Sequence, residues 1–229
     1  MKRIEVLDVW RSLAILFMAA YHFLYDLYMF GVIGYDDVHS FWAHALRYAA
    51  AGSFMLISGA VVRFSRNSIK RGIVVFACGM LVSAVMSFMG MAVQFGVLHH
   101  LGTMMIAYGV ISNKLRPPKG IWFPLLCAAV FAVTYYVGNN YFVETKLLVP
   151  LGLKHYGFSS ADYYPLLPWS MIFAVGVWLG GKLPQWRERV PLLQRNFSPV
   201  LTFPGRHSLI IYLAHQPVLY GLCYLIWGR

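Results

Sequence analysis

Charged residues are scarce in this chain, and no polar stretch is long enough to build a second hydrophobic core. Of the 229 residues, 12% are charged and 59% are hydrophobic, and the mean hydropathy is +0.62. This composition excludes an ordinary soluble domain and is typical of a polytopic membrane protein. We therefore expect an all-α membrane helix bundle, one transmembrane domain over residues 1–229 in contact with membrane lipid.

Cysteines are also rare, and metal-ligand spacings are missing. Cys78, Cys127 and Cys223 all fall in predicted helices, which indicates packing roles and no disulfide or metal framework. Imidazoles on separate helices could converge on a metal, but no HxxxH or HxxE spacing supports this, so we expect no metal. The first helix lacks a small-residue cleavage site, and we do not interpret it as a signal peptide.

Acidic residues are few, 8 against 19 lysines and arginines, so the net charge is +11. An excess of this kind can indicate nucleic-acid binding, but here the basic residues alternate between connections of seven predicted spans. The spans cover residues 7–29, 41–62, 71–90, 96–113, 120–138, 165–182 and 206–227. We therefore attribute the charge to membrane topology and expect no nucleic-acid partner.

Fourteen basic residues fall on one side of these spans and three on the other. The fourteen are Lys2, Arg3, Arg63, Arg66, Lys70, Arg71, Lys114, Arg116, Lys119, Lys182, Arg187, Arg189, Arg195 and Arg206. The three are Lys146, Lys154 and Arg229. The positive-inside rule then predicts a cytoplasmic amino terminus and an external carboxyl terminus.

The first span, LDVWRSLAILFMAAYHFLYDL, carries four ionisable residues, Asp8, Arg11, His22 and Asp26. At about 100° per residue the two aspartates coincide on the helical wheel, and the other two fall within roughly 60° of them. Charged groups at membrane depth are costly and usually mark a working site. A snorkelling pair at the helix entrance would explain Asp8 and Arg11 equally well, but His22 lies about 16 Å farther along the axis.

Arginines collect towards the predicted inner face, whereas imidazoles and carboxylates collect towards the outer one. The outer group suits general acid–base chemistry, and the inner group suits a ligand that carries phosphate. Outer candidates are His22, Asp26, His39, His99, His100 and Asp162, with Tyr212 and His215 on one face of the last span. Topology alone explains most of the inner charges, and headgroup anchoring is an equal explanation for His99 and His100.

Five segments, in order, resemble one family of membrane enzymes. RIEVLDVWRSLAILFMAAYHFLYDL resembles the opening of membrane-integral acyltransferases, in which Arg11 and His22 match an arginine–x10–histidine pair. FMLISGA, FGVLHHLG, SADYYPLLPW and GRHSLIIYLAHQP resemble later blocks of small bacterial proteins of the heparan-α-glucosaminide N-acetyltransferase catalytic-domain group. Ser12 stands where the family usually has glycine, and we expect this residue to tighten helix packing.

Two histidines compete for the chemical role under this resemblance. His22 matches the superfamily pair, whereas His39, in His39-Ser40-Phe41-Trp42, is similar to the lysosomal pattern with one residue extra. The chain is shorter than the lysosomal enzyme and lacks its extra spans, so a glycosaminoglycan acceptor does not follow. Asp26, one turn from His22 on the same face, could orient that ring.

The resemblance implies transfer of an acetyl group from cytoplasmic acetyl-CoA to an amine or hydroxyl, as in an amino sugar or glycan, outside the membrane. The residues suggest a donor site at Arg11 and Asp8 with Arg63, Arg66 or Arg71. On the outer side, His22, His39 and Asp26 would carry the chemistry. Asp162, His99, His100, His215 and Tyr212 would then bind the acceptor, with Asp162 suited to a hydroxyl or ammonium group.

Several alternatives stay open at the level of the sequence. Direct transfer and an acetyl-histidine intermediate both fit, as do N- and O-acetylation. A small-solute or proton-coupled transporter could use the same polar column, although no internal repeat supports one, and a non-catalytic scaffold is a third reading. We expect the inner (plasma) membrane of a bacterium, and small-residue faces such as that of LISGA would allow a homodimer.

Overall fold

The computed structural model describes residues 3–112, 118 and 120–228, and most of them are helical. The helices are α1 (Glu5–Met29), α2 (Tyr35–Val38), α3 (Phe41–Val62), α4 (Ser68–Phe88), α5 (Val97–Ile111), α6 (Trp122–Asn140), α7 (Leu166–Arg189), α8 (Pro199–Arg206) and α9 (Ser208–Trp227). Two 3-10 turns cover Lys146–Leu151 and Pro191–Leu193. Strands β1 (Phe142–Val143) and β2 (Lys154–His155) pair in parallel.

Six of the seven predicted spans are confirmed as helical stretches long and apolar enough to cross a membrane. They are Glu5–Met29, Tyr35–Val62, Ser68–Phe88, Trp122–Asn140, Leu166–Arg189 and Ser208–Trp227. The remaining prediction, 96–113, forms α5, whose 15 residues give about 22 Å, less than a hydrocarbon core of about 30 Å. The protein is thus an all-helical integral membrane protein.

The predicted orientation of the termini stays a prediction. It depends on the count of basic residues on each side of the spans, and five of those residues lie outside the described part of the chain: Lys2, Lys114, Arg116, Lys119 and Arg229.

Local sequence explains where several helices begin and end. The Asn67 side chain accepts a hydrogen bond from the Lys70 amide at 2.8 Å and caps α4. Gly31 and Gly90, which follow α1 and α4, adopt positive φ angles of 71° and 75°, a conformation that favours glycine. α7 continues past the predicted end at 182, and it stops at Arg189 because the residue before Pro191 is extended.

The described chain forms two compact units, and their division falls inside α3, after Phe54, and inside α7, after Gln185. The first unit joins the chain up to Phe54 to the chain from Trp186 onward. In it, α1 packs against α8 and α9. Ala14, Ile15 and Met18 of α1 are buried there.

The second unit covers Met55–Gln185. Its helices α4 and α5 run antiparallel, because Gly79 lies against His99 at one end and Gly109 against Ile69 at the other. Glycines at such crossings let the two backbones approach closely. Met55, Ile57 and Phe173 form the buried core of this unit.

Candidate active site

Asp8 is the centre of a charged cluster at the beginning of α1. Its side chain is only 2% exposed and accepts hydrogen bonds from both Nε and Nη2 of Arg3, the latter at 2.9 Å. Arg11 donates from Nη1 at 3.2 Å, and Nε of Arg206 lies 3.8 Å from the same carboxylate. The hydrogen bond to Asp8 raises the pKa of Arg3. Asp8 therefore orients arginines, and its predicted part in the acetyl-CoA site stays a prediction.

Glu5 and Arg206 enlarge this cluster, and neither was among the predicted site residues. Arg206, at the end of α8, donates to Oε1 of Glu5 at 2.9 Å. The other carboxylate oxygen of Glu5 accepts the amide hydrogen of Phe197 at 2.7 Å. Three arginines surround two carboxylates, so the cluster carries excess positive charge and suits an anion. For Glu5, the feature of the sequence that could have identified it was its place as an acidic residue in the first turn of an apolar helix.

His22 lies against His215 of α9 farther along α1. The two ring centroids are 4.9 Å apart, with an interplanar angle of 62°. Nδ1 of His215 contacts the carbonyl oxygen of Tyr212. Since a carbonyl only accepts, Nδ1 carries the hydrogen and Nε2 keeps its lone pair. This Nε2 atom is buried and has no hydrogen-bond partner among the described residues.

Asp26 is paired with Gln216 of α9, and its predicted role in orienting His22 stays a prediction. Asp26 is 1% exposed, and its Oδ1 accepts a hydrogen bond from Nε2 of Gln216 at 2.8 Å. Oδ2 of Asp26 and Oε1 of Gln216 are buried without a partner in the described part of the chain. A polar residue in the last apolar span was the signal that could have identified Gln216.

His39 lies on the surface at the end of α2, and a series of side-chain contacts leads from it to the α1 site. Its ring stacks on Tyr35 at 3.8 Å, and its Nδ1 hydrogen-bonds to the Tyr35 carbonyl at 2.9 Å. The ring of His44 is 6.1 Å away. Arg47, one turn farther along α3, lies 5.9 Å above the ring of Tyr21, which neighbours His22. Both competing histidines therefore belong to the first unit.

Tyr212 lies beside His215 of the imidazole pair. Its ring centroid is 5.5 Å from that of His215 and 6.4 Å from that of Phe54.

Asp162, His99 and His100 belong to the second unit, where they organise the start of α5. Oδ2 of Asp162 accepts the amide hydrogen of Val97 at 2.9 Å and so caps α5. Nδ1 of His99 accepts from the Gly96 amide at 3.3 Å. His100 is 0% exposed and lies beside the carbonyls of Tyr164 and Pro165. These contacts stabilise the helix start, an alternative to the predicted role in acceptor binding.

Arg63, Arg66 and Arg71 also lie in the second unit, around the connection between α3 and α4. All three are exposed. Nη1 of Arg71 donates to the hydroxyl of Ser65 at 3.5 Å. Their exposure leaves these side chains accessible to a phosphate group.

Two other kinds of site find less support in the geometry. A cavity of about 300 Å³ in the second unit is lined by apolar side chains and Cys127, with no acid–base pair. Within residues 3–112, 118 and 120–228, no group of three His, Cys, Asp or Glu side chains is placed to hold a metal ion.

Comparison with known families covers nearly the whole chain. The family model described as heparan-alpha-glucosaminide N-acetyltransferase, catalytic, matches residues 3–217. No curated protein and no solved structure gives a significant match. The matched region includes both clusters of α1 and the start of α9 through Pro217. The chain therefore belongs to the heparan-alpha-glucosaminide N-acetyltransferase catalytic-domain family.

Proposed function

We propose that this protein transfers an acetyl group from cytoplasmic acetyl-CoA to an amine or hydroxyl of an amino sugar or related glycan on the other side of the membrane. Membership of an N-acetyltransferase family supports the reaction class. The two chemically different clusters of α1 support the transmembrane arrangement. Arg11 and His22 are eleven residues apart, about 16 Å along the helix axis, so one helix would serve a donor site and a transfer site.

The arginine cluster around Asp8 is the proposed donor end. Acetyl-CoA carries several phosphate groups, and guanidinium groups recognise phosphate through charge-assisted hydrogen bonds. Asp8 would hold Arg11 in position without contacting the donor, because its carboxylate is buried and occupied by arginines. Arg63, Arg66 and Arg71 of the second unit are exposed and stay predicted contacts for the phosphate groups of the donor.

The imidazole pair of His22 and His215 is the observation that carries the proposal for the chemical step. Two imidazoles at 4.9 Å, one with an unpartnered buried nitrogen, provide a proton acceptor inside an apolar helix contact. We assign the base to His22, because His39 is exposed and stacks on Tyr35. Both amine and hydroxyl acceptors must lose one proton, so the assignment serves either class.

The residues that we propose for acceptor binding are polar side chains in both units. They are Asp162, His99 and His100 in the second unit and Tyr212 in the first. A carboxylate and imidazoles can accept hydrogen bonds from sugar hydroxyls or from an ammonium group. Asp26 with Gln216 adds two unpartnered buried oxygen acceptors one turn from His22. Donor groups of a polar ligand would satisfy such oxygens.

A direct assay tests the proposal. Purified protein in detergent is mixed with acetyl-CoA and D-glucosamine, and release of the free thiol of CoA is followed by a chromogenic thiol reagent. We expect thiol release that depends on both protein and acceptor, and acetylated glucosamine by mass spectrometry. No thiol release over a panel of amines and sugars, together with no binding of acetyl-CoA, would overturn the proposal.

The same assay separates the two histidines. We expect His22→Ala to lower kcat by roughly 10²–10⁴-fold, the usual contribution of a general base, with acetyl-CoA binding retained. We expect His39→Ala to change kcat by less than about tenfold, well below that range. The reverse pattern would transfer the chemical role to His39, and full activity in both variants would remove it from both.

A further inference from the structure

We infer that His215 is the positioning residue for His22, holding that imidazole ready to take a proton from the acceptor. This inference deepens the proposed acetyltransfer and rests on it. It assigns to α9 a role in the chemical step that the sequence had given to Asp26.

Geometry across the contact between α1 and α9 supports this role. The His22 and His215 rings meet edge to face, with their centroids 4.9 Å apart. Nδ1 of His215 is fixed as a hydrogen donor by the Tyr212 carbonyl. Its Nε2 is therefore a lone pair, buried and without another partner in the described chain.

A break in the backbone hydrogen bonding of α9 lies beside His215. Pro217 has no amide hydrogen, so it disrupts the regular hydrogen bonding of α9 at this level. The carbonyl that His215 uses belongs to Tyr212, one residue before Leu213, whose oxygen loses its usual amide donor to the proline. A polar side chain near such a break can use the backbone groups there.

Asp26 is unsuited to the same role because its hydrogen bond is directed elsewhere. Its Oδ1 accepts a hydrogen bond from Gln216 at 2.8 Å, and this bond joins α1 to α9. The arrangement therefore has two levels between α1 and α9. His22 faces His215 at one level, and Asp26 faces Gln216 at the next.

The chemical step with this pair is balanced. The lone pair of the acceptor nitrogen or oxygen forms a bond to the acetyl carbonyl carbon, and the acceptor's proton moves to the free ring nitrogen of His22. The carbon–sulfur bond of the thioester breaks, and the leaving thiolate takes that proton to give CoA thiol. In this step Nε2 of His215, which has no partner among the described residues, would accept a hydrogen bond from the other ring nitrogen of His22. That bond would fix the tautomer of His22 and stabilise the transient imidazolium.

Variants of two histidines on the same stretch of chain test the inference. His215→Ala and His215→Leu remove the imidazole and its acceptor nitrogen, and His207→Ala is the matched control. His207 has the same kind of contact, Nδ1 to the Phe203 carbonyl at 3.0 Å, but it is exposed and lies before α9. Each variant is assayed with acetyl-CoA and D-glucosamine for kcat, KM and acetyl-CoA Kd, with and without added imidazole.

We expect His215→Ala to lower kcat about 10²-fold, with both KM for glucosamine and Kd for acetyl-CoA changed less than about threefold. Added imidazole should raise the kcat of His215→Ala at least about tenfold, because it can occupy the space of the missing ring. We expect His207→Ala to keep kcat within about threefold of wild type. A purely structural role would not produce rescue by imidazole.

Other outcomes overturn the inference in distinguishable ways. A folded His215→Leu variant, which has no acceptor atom, with kcat within about threefold of wild type would exclude the positioning role, and it decides the question if His215→Ala does not fold. Loss of kcat without any rescue by imidazole would leave His215 a packing residue. Wild-type protein without thiol release would overturn the proposed function itself, and this inference with it.

Discussion

The hydroxyl of Ser12 accepts a hydrogen bond from the backbone amide of Gly205 at 2.8 Å, between residues 193 positions apart in the chain. The same hydroxyl donates to the carbonyl of Leu201 at 2.7 Å. One side chain thus joins α1 to α8 one turn after Asp8. The expectation that Ser12 tightens helix packing agrees with this contact, which also fixes the helix that carries Arg206.

Ser12→Ala should therefore destabilise the contact between α1 and α8. The change leaves the Gly205 amide without its acceptor, at a cost of about 1–3 kcal/mol of unfolding free energy. Thermal unfolding in detergent, followed by tryptophan fluorescence, measures the effect. Ser12→Thr retains the hydroxyl and is the control. Equal melting temperatures for the alanine variant and wild type would contradict the bridging role.

Gly205→Ala should disturb the same contact by steric overlap. A Cβ atom at this position would collide with the backbone carbonyl of Asp8, which cannot move independently of α1. Overpacking of this kind costs about 1–3 kcal/mol. Gly221→Ala in α9 is the matched control, because nothing lies within 4 Å of its added Cβ, and alanine favours the helix by about 0.5–1 kcal/mol. Similar destabilisation by both changes would refute the argument.

Arg11→Ala should weaken donor binding more than Arg3→Ala does. Both arginines contact Asp8, but Arg3 has a side chain that is 54% exposed, whereas that of Arg11 is 17% exposed and lies on the His22 face of α1. We expect about a tenfold increase in the acetyl-CoA Kd for Arg11→Ala, equal to about 1.4 kcal/mol. Arg3→Ala should leave the acetyl-CoA Kd within about twofold of the wild-type value. Isothermal titration calorimetry measures both constants, and equal losses would assign Arg11 a structural role.

Asp162→Ala should loosen the start of α5, because the Val97 amide loses the oxygen that caps it. Loss of a helix cap typically costs about 1 kcal/mol, and Asp162→Asn keeps an acceptor oxygen at this position. Thermal unfolding of both variants, together with the KM for glucosamine, separates the capping role of Asp162 from its proposed role in acceptor binding. If Asp162→Asn leaves the melting temperature unchanged and raises the KM for glucosamine, the side chain also contacts the acceptor.

Alkaline pH should reveal the contribution of Tyr163. Its hydroxyl donates to the Val149 carbonyl at 2.8 Å, and burial raises its pKa from 10 to about 12. A pKa that is raised on folding stabilises the protein fully below pH 10, and this contribution is lost as the pH rises from 10 to 12. Wild type should therefore lose stability faster than Tyr163→Phe in this window. Parallel curves for the two proteins would contradict the prediction.

Much of the helical framework could be predicted from the sequence, because apolar runs and their breaks are local. The predicted span 41–62 has the same bounds as α3, and the first and last spans differ from α1 and α9 by two residues or fewer. α8 was not predicted, because eight residues that include two prolines carry little local signal. Packing through Ser12 and Gly205 stabilises it instead.

The candidate site divides in the same way between local and tertiary information. The helical wheel alone placed Asp8, Arg11, His22 and Asp26 on one face of α1, since position on a wheel depends only on sequence spacing. Spacing within one helix also suggested that Asp26 orients His22, and the hydrogen bond to Gln216 shows a different partner. The sequence also did not predict that Asp162 caps α5, because Asp162 and Val97 are 65 residues apart in the chain.

The sequence by itself determined that this is a helical membrane protein with a column of ionisable groups on its first helix. Composition and periodicity are sufficient for this, because a lipid environment restricts the backbone to a few structures. Only the tertiary structure decided the partners of those groups. His215, Gln216 and Arg206 come from the far end of the chain, and their contacts with α1 depend on which helix packs against it.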